Sequence, residues 1–163
     1  MAEFITWRDA WLFGIDHLDD QHREVANMLN RLVRECSCTE QEKRSMSDEK
    51  KQHMRRLLDE LYTCTKRHFR DEEALMIEQG YPGYVGHARE HAMLLGEFKS
   101  TFRAKLHEGC CNMNPQTLTA LRSWFVVHVA RSDREFTEYL DSKRAAASST
   151  AAGTPVDRKR GGY

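Results

Sequence analysis

The chain has 163 residues, 40% of them hydrophobic and 31% charged, and its twenty-five basic residues are balanced by twenty-five acidic ones. That composition suits one soluble domain with an ordinary core, and the charge balance argues against a nucleic-acid binder or a polybasic membrane-surface protein. The longest apolar stretch, around Trp124-Phe-Val-Val, is cut by His128 far short of the ~20 residues that cross a bilayer, and Met1-Ala-Glu opens no signal-peptide pattern, so the expected compartment is the cytoplasm.

Residues 1–18 carry Phe4, Ile5, Trp7, Trp11, Leu12, Phe13 and Ile15, too much apolar surface to leave in water, and are expected to pack as an arm across whatever follows. From Leu18 to Leu140 apolar residues recur at threes and fours while Gly and Pro are scarce, which predicts helices and no strands. The first helix is expected from about Asp19 to Glu35, with Asp19 or Asp20 as N-cap and His22, Val25, Leu29, Leu32 and Val33 on one stripe. Residues 36–52 hold four acidic and four basic residues and read as an inserted polar loop, partly helical where it meets its neighbours.

A second helix continues the stripe through Met54, Leu57, Leu61, Thr65, His68, Glu72 and Met76 until Gln79-Gly-Tyr-Pro-Gly stops it. The third, from about Tyr84 to Glu108, aligns His87, His91, Leu94, Phe98 and Phe102. Asn114-Pro115 supplies an N-cap followed by Pro at the first helical position, opening a fourth helix with Leu118, Leu121, Phe125, His128, Phe136 and Leu140. The fold class is therefore all-α, an up-down-up-down antiparallel four-helix bundle occupying residues 1–144. Residues 145–163, small, polar and basic, are expected to be a disordered tail whose Arg158-Lys-Arg160 is simply solvated.

Eight histidines are many for this length, and their placement carries the functional signal. His22, His68, Glu72, His87, His91, His128 and Asp133 come from all four helices at or near core-facing positions. A single inward histidine is usually a satisfied core residue, but this set would place two carboxylates and five imidazoles among Leu, Phe and Met. Burying such groups unpaired costs several kcal/mol each. Residues four apart turn through only about 40° on a helix, so His68 with Glu72 and His87 with His91 aim into one volume. His128 and Asp133, five apart, need a broad site or a local distortion. Seven protein ligands fit a two-metal centre with bridging carboxylates better than one zinc, and imidazole and carboxylate without thiolate suit iron, manganese or zinc alike.

The motifs Gly14-Ile-Asp-His-Leu-Asp-Asp-Gln-His22, His68-Phe-Arg-Asp-Glu72, Tyr81-Pro with His87-x-x-x-His91, and Trp124-x-x-x-His128 with Asp133 closely resemble the ordered motifs of the hemerythrins, in particular the bacterial ones, from about Trp7 to Leu140. The resemblance implies a non-haem di-iron centre that reversibly binds dioxygen end-on at an open iron. His87, His91 and His128 would hold one iron and His22 and His68 the other, with Glu72, Asp133 and an oxide or hydroxide bridging. Two ferrous ions against two carboxylates and one hydroxide leave a buried charge of about +1, which an apolar pocket tolerates. No Glu-x-x-His occurs at the ligand positions, a composition that favours carrying oxygen over cleaving it.

The spacing from His22 to His68 is longer than is usual in that family, placing the insertion at 36–52, and Phe125 falls where the resemblance puts an oxygen-pocket residue that is more often aliphatic. Cys36 and Cys38 in the first connection and Cys110 and Cys111 in the third fall at the same end of such a bundle and are candidate redox thiols, although a reducing cytoplasm favours free thiols; Cys64 reads as a small core residue. His17, His53 and His107 read as surface or loop histidines. The favoured function is a non-enzymatic oxygen-binding protein for storage, delivery or scavenging. The alternatives are a sensor of oxygen, nitric oxide or iron acting through a separate protein, and a di-iron enzyme handling peroxide or nitric oxide.

Overall fold

The computed structural model describes residues 4–36, 46–103 and 115–152. A single 3-10 turn (Asp9–Trp11) precedes α1 (Asp16–Cys36) and α2 (Asp48–Gln79); α3 (Tyr84–Glu97) runs into a π-helical stretch (Phe98–Arg103). The fourth rod is made of α4 (Pro115–Val127), a π-helical turn (His128–Asp133) and α5 (Arg134–Ala152). The rods form the four-helix bundle that the periodicity predicts. Among the described residues, no helix is long and apolar enough to cross a membrane.

The predicted second stripe is buried throughout, from Met54 to Met76. His22, Val25, Leu29 and Leu32 do the same on α1. Two apolar clusters result: a larger one around Leu29, Leu57, Leu61, Phe98, Leu121 and Trp124, and a smaller one of Phe13, Leu18, Met76, Phe136 and Leu140. The inward His, Glu and Asp residues His22, His68, Glu72, His87, His91, His128 and Asp133 lie at or near sequence positions between these two clusters.

Four boundaries sharpen or differ from expectation. α2 starts at Asp48, inside the stretch expected to be partly helical where it meets its neighbours, because Ser47 accepts a hydrogen bond from the Lys50 N–H and Asp48 and Glu49 favour the positive end of the helix dipole. Its other end is a left-handed Gly80, φ 67°, whose N–H meets the Ile77 and Met76 carbonyls. Tyr139 Oη lies 3.0 Å from the Gln79 and Gly80 carbonyls, and Lys143 Nζ donates to Gln79 at 2.7 Å, so α5 satisfies the end of α2.

α5 continues to Ala152, so the disorder expected from residue 145 does not hold for residues 145–152. Ala145, Ala146 and Ala147 are strong helix formers, and Ser148 and Ser149 bond back to the Arg144 and Ala145 carbonyls. Residues 153–163 lie outside the described residues, as do most of the 36–52 insertion and the third connection. On the third rod, the α-helical part ends at Glu97 and the rod goes on with wider π-type turns.

The fourth difference is at the arm. α1 begins at Asp16, and Asp19 is not its N-cap. The Asp19 carboxylate is buried and accepts the N–H groups of Phe13, Gly14 and Ile15 at 2.7, 3.1 and 3.2 Å, with Gly14 at φ 69° supplying the left-handed bend that aims them. Further out, Asn30 both accepts from the Ile5 N–H at 2.7 Å and donates to the Ile5 carbonyl at 2.8 Å, which seats Ile5 in the larger cluster. The arm therefore packs across the bundle as expected, held by two buried polar side chains. Asp19→Ala is expected to lower the unfolding free energy by about 2 to 3 kcal/mol, because three donors lose a charged acceptor together; urea unfolding followed by tryptophan fluorescence measures this, and unchanged stability would show that the arm is held elsewhere.

Candidate metal centre

α1 presents His22; α2 presents His68 and Glu72; α3 presents His87 and His91; and the fourth rod presents His128 and Asp133. All seven are buried. The distortion that the five-residue spacing demands is present: the turn from His128 to Asp133 is π-helical, and its i→i+5 pattern brings residues five apart onto one face.

The donor atoms fall into two groups, Glu72, His87, His91, His128 and Asp133 in one and His22, His68 and Asp133 in the other. In the first, the His91 Nε2 lies 3.0 Å from the Nε2 atoms of both His87 and His128. Asp133 faces both groups, with Oδ1 2.9 Å from His128 Nε2 and 3.3 Å from His87 Nε2, and Oδ2 3.1 Å from His22 Nε2. Glu72 Oε2 lies 3.2 Å from His91, 3.5 Å from His87 and 3.9 Å from His68, so it sits in the first group and borders the second.

The outer ring nitrogens fix where the protons are. His91 Nδ1 lies 2.8 Å from Glu73 Oε1, and His128 Nδ1 lies 3.1 Å from Glu90 Oε1, which also accepts from Ser132 through its other oxygen at 2.7 Å. His68 Nδ1 meets Gln21 Oε1 at 3.2 Å, and the Gln21 amide is oriented by donating its NH2 to Asp71 at 2.8 Å. Each partner is an acceptor, so in the neutral rings the proton is on Nδ1 and the lone pair on Nε2 points inward. Phe69 stacks on His91 with centroids 3.7 Å apart, and Phe13 stacks on His22 at 5.0 Å, which holds the ring planes.

Inward lone pairs at 3.0 Å repel one another, and both oxygens of Glu72 and of Asp133, with His68 Nε2 and both His22 nitrogens, are buried with no hydrogen-bond partner among the described residues. A cation resolves both problems at once, so the residues present fit a metal. Without it, protons take its place. Burial works against charge on His87 and His128, but Asp133 and Glu72 beside them outweigh it and raise these imidazoles to about 9 and about 10. Burial and Asp133 push the Glu72 carboxyl up, and His87 and His91 more than reverse this, holding it at about 2. Asp133 is likewise held well below the usual carboxylate range, by His128 foremost against its burial. Burial, and then His22, lowers His68 to about 3, consistent with a neutral ring.

A cavity of about 10 Å³, room for about one water-sized sphere, abuts the second group and is lined by His22, His68, His128, Val25, Thr65, Phe69, Trp124, Phe125 and Val129. Phe125 is thus on its wall, edge-on to the rings of His22 and Trp11 at 6.4 and 6.3 Å. Sequence reasoning missed Gln21, Glu73 and Glu90. Each directly neighbours a ligand, which turns it about 100° round its own helix toward the next one, where it orients that helix's histidine: Gln21 on α1 serves His68, Glu73 on α2 serves His91, and Glu90 on α3 serves His128. Of the thiols, Cys38, Cys110 and Cys111 and the side chain of Cys36 lie outside the described residues; Cys64 is half-buried, its Sγ 3.5 Å from Glu24. His53 pairs with Glu35 at 2.6 Å at the outer end of α1.

Residues 14–140 match the family of the hemerythrin HHE cation-binding domain. The chain is 28% identical over 136 residues to the bacteriohemerythrin of Stenotrophomonas maltophilia (strain R551-3), covering 83% of this chain and 81% of that one. It is also 28% identical over 132 residues to the bacteriohemerythrin of Methylococcus capsulatus (strain Bath), covering 80% and 92%. A crystal structure of wild-type hemerythrin superposes with a TM-score of 0.65 at 26% identity, over 82% of this chain and 95% of that one.

A histidine whose folded pKa lies above its unfolded value near 6.5 takes up a proton on folding, so its stabilisation is complete below about pH 6.5 and is lost as pH rises toward its folded value. With His87 and His128 raised to about 9 and about 10, and the carboxylates and His68 shifted downward and silent in that range, the metal-free chain is expected to lose stability steadily from pH 6.5 to 10. The metal-loaded chain, its ligands already deprotonated, is expected to show little slope there; urea unfolding across that range, with and without metal, checks both.

Proposed function

The chain belongs to the hemerythrin family, and on that premise we propose that it is a non-haem di-iron protein that reversibly binds dioxygen, serving oxygen storage, delivery or scavenging. Hemerythrins bind dioxygen and non-haem iron. The observation that carries the reading is the inequality of the two donor groups: one offers three imidazoles, the other two, Asp133 is common to both, and the cavity lies against the poorer group.

In this reading His87, His91 and His128 would hold one iron and His22 and His68 the other, with Glu72 and Asp133 as the carboxylates available to both. When bound, two ferrous ions supply the two electrons that reversible dioxygen uptake requires. The protein's own part is to hold and to exclude. Glu73, Glu90 and Gln21 hold the His91, His128 and His68 rings so that in their neutral form the proton is on Nδ1 and the Nε2 lone pair is the one offered to a metal. The two carboxylates would offset half of the positive charge that two ferrous ions add inside an apolar bundle. Val25, Phe69, Trp124, Phe125 and Val129 make the cavity wall apolar, which admits an uncharged diatomic gas while disfavouring water and hydrated protons.

Anaerobic loading with ferrous iron, then repeated exposure to and removal of oxygen, is expected to give a visible absorption band that appears and disappears over many cycles; irreversible conversion to the ferric form, or turnover of added peroxide, would overturn the reading. Phe125 narrows the cavity, so Phe125→Leu is expected to raise the oxygen dissociation and autoxidation rates by up to about tenfold, the effect of roughly 1.4 kcal/mol; stopped-flow and slow absorbance decay measure them, and two unchanged rates would remove Phe125 from the pocket's function.

A further inference from the structure

The cavity wall holds one group that an apolar gas pocket does not call for. Thr65 lies on α2 one turn before His68, is 2% exposed, and forms part of the wall, yet its hydroxyl has no hydrogen-bond partner among the described residues. Hydroxyls on these helices ordinarily satisfy themselves by bonding back to the carbonyl four residues earlier. Thr63, two residues away on the same helix, does so to Asp59 at 2.8 Å, as do Thr137 to Asp133 at 3.0 Å and Ser142 to Glu138 at 2.9 Å. The Thr65 hydroxyl makes no such bond. Valine has nearly the same shape and would fill the position without a stranded donor, as Val25 and Val129 do elsewhere on the wall.

We propose that the Thr65 hydroxyl is the hydrogen-bonding contact for the small ligand that this cavity admits, a diatomic or linear triatomic molecule with a lone pair on its outer atom. The inference deepens the oxygen-binding reading and rests on it. Thr65 lines the same cavity as His22, His68, Phe125 and Trp124, so a rotation of its side chain would give a ligand held there a hydrogen-bond donor on an otherwise apolar wall. That contact would slow ligand escape and favour ligands that carry partial negative charge over apolar gases of equal size.

The test uses azide as the probe, titrated into the full-length, iron-loaded ferric protein, with oxygen dissociation measured on the ferrous form. Thr65→Val is expected to weaken azide binding and speed oxygen release by about five- to tenfold, the scale of one hydrogen bond, while Thr65→Ser stays within about twofold of the parent. Without ligand, Thr65→Val is expected to melt at or above the parent temperature, since no native hydrogen bond is removed. A Thr65→Val protein that binds azide and releases oxygen like the parent overturns the role of Thr65 alone, as does a Thr65→Val protein that melts lower while Thr65→Ser does not. A parent protein that takes up neither azide nor oxygen overturns the oxygen-binding reading itself, and the role of Thr65 with it.

Discussion

Glu72 and Asp133 are fully buried carboxylates in the middle of an apolar bundle, and their charge is the constraint around which the centre is built. An isolated buried carboxylate would take up a proton. Here five imidazoles surround the pair and hold both carboxyls on the ionised side. The two carboxylate charges are balanced in the metal-free chain by protons on His87 and His128, which are stand-ins for a stronger cation. Metal affinity and fold stability thus draw on the same charges.

Geometry enforces the same end. Straight α-helices present ligands well at i and i+4, which serves α2 and α3, but they cannot put His128 and Asp133 on one face. The π-helical turn does so by widening a single turn, and it lets one aspartate face both donor groups, Oδ1 toward His87 and His128 and Oδ2 toward His22. That turn lies between the Trp124 and Phe136 anchors, each buried in a different apolar cluster, so packing on both sides resists its relaxation into an ordinary helix. The arm adds a further restraint by laying Phe13 over the His22 ring.

Much of this was legible in the sequence because it depends on period. The stripe from Met54 to Met76 could be read residue by residue, as could the burial of the seven candidate metal-binding residues, since a run of Leu that turns into His and Glu without losing register keeps its inward face. What was not legible depends on direction rather than period. Asp19 sits where an N-cap would and instead reaches back to the arm; its role depends on the left-handed bend at Gly14, which the sequence marks only as one glycine. Gln21, Glu73 and Glu90 look like solvent-facing neighbours of ligands, and only the packing of the next helix makes them partners of its histidines. Residues 145–152 looked disordered by bulk, since Ala and Ser bury little, but helix propensity and Ser back-bonding carry α5 on regardless of burial.

The inequality between the two halves of the centre follows from this same architecture. Three hydrogen bonds to outer ring nitrogens run one way round the bundle, from α1 to α2, α2 to α3 and α3 to the fourth rod, each carried by a residue next to a candidate metal-binding residue. No such partner reaches His22 from the fourth rod: its Nδ1 is buried without a hydrogen bond among the described residues, and aromatic rings of the arm and of Phe125 flank it instead. The group with fewer imidazoles, His22 and His68 with Asp133, has both of its histidines on the cavity wall, whereas the larger group has only His128 there. The cavity lies where this relay ends, bounded by α1, α2 and the fourth rod, so the direction in which the helices support one another sets which side of the cluster borders open space.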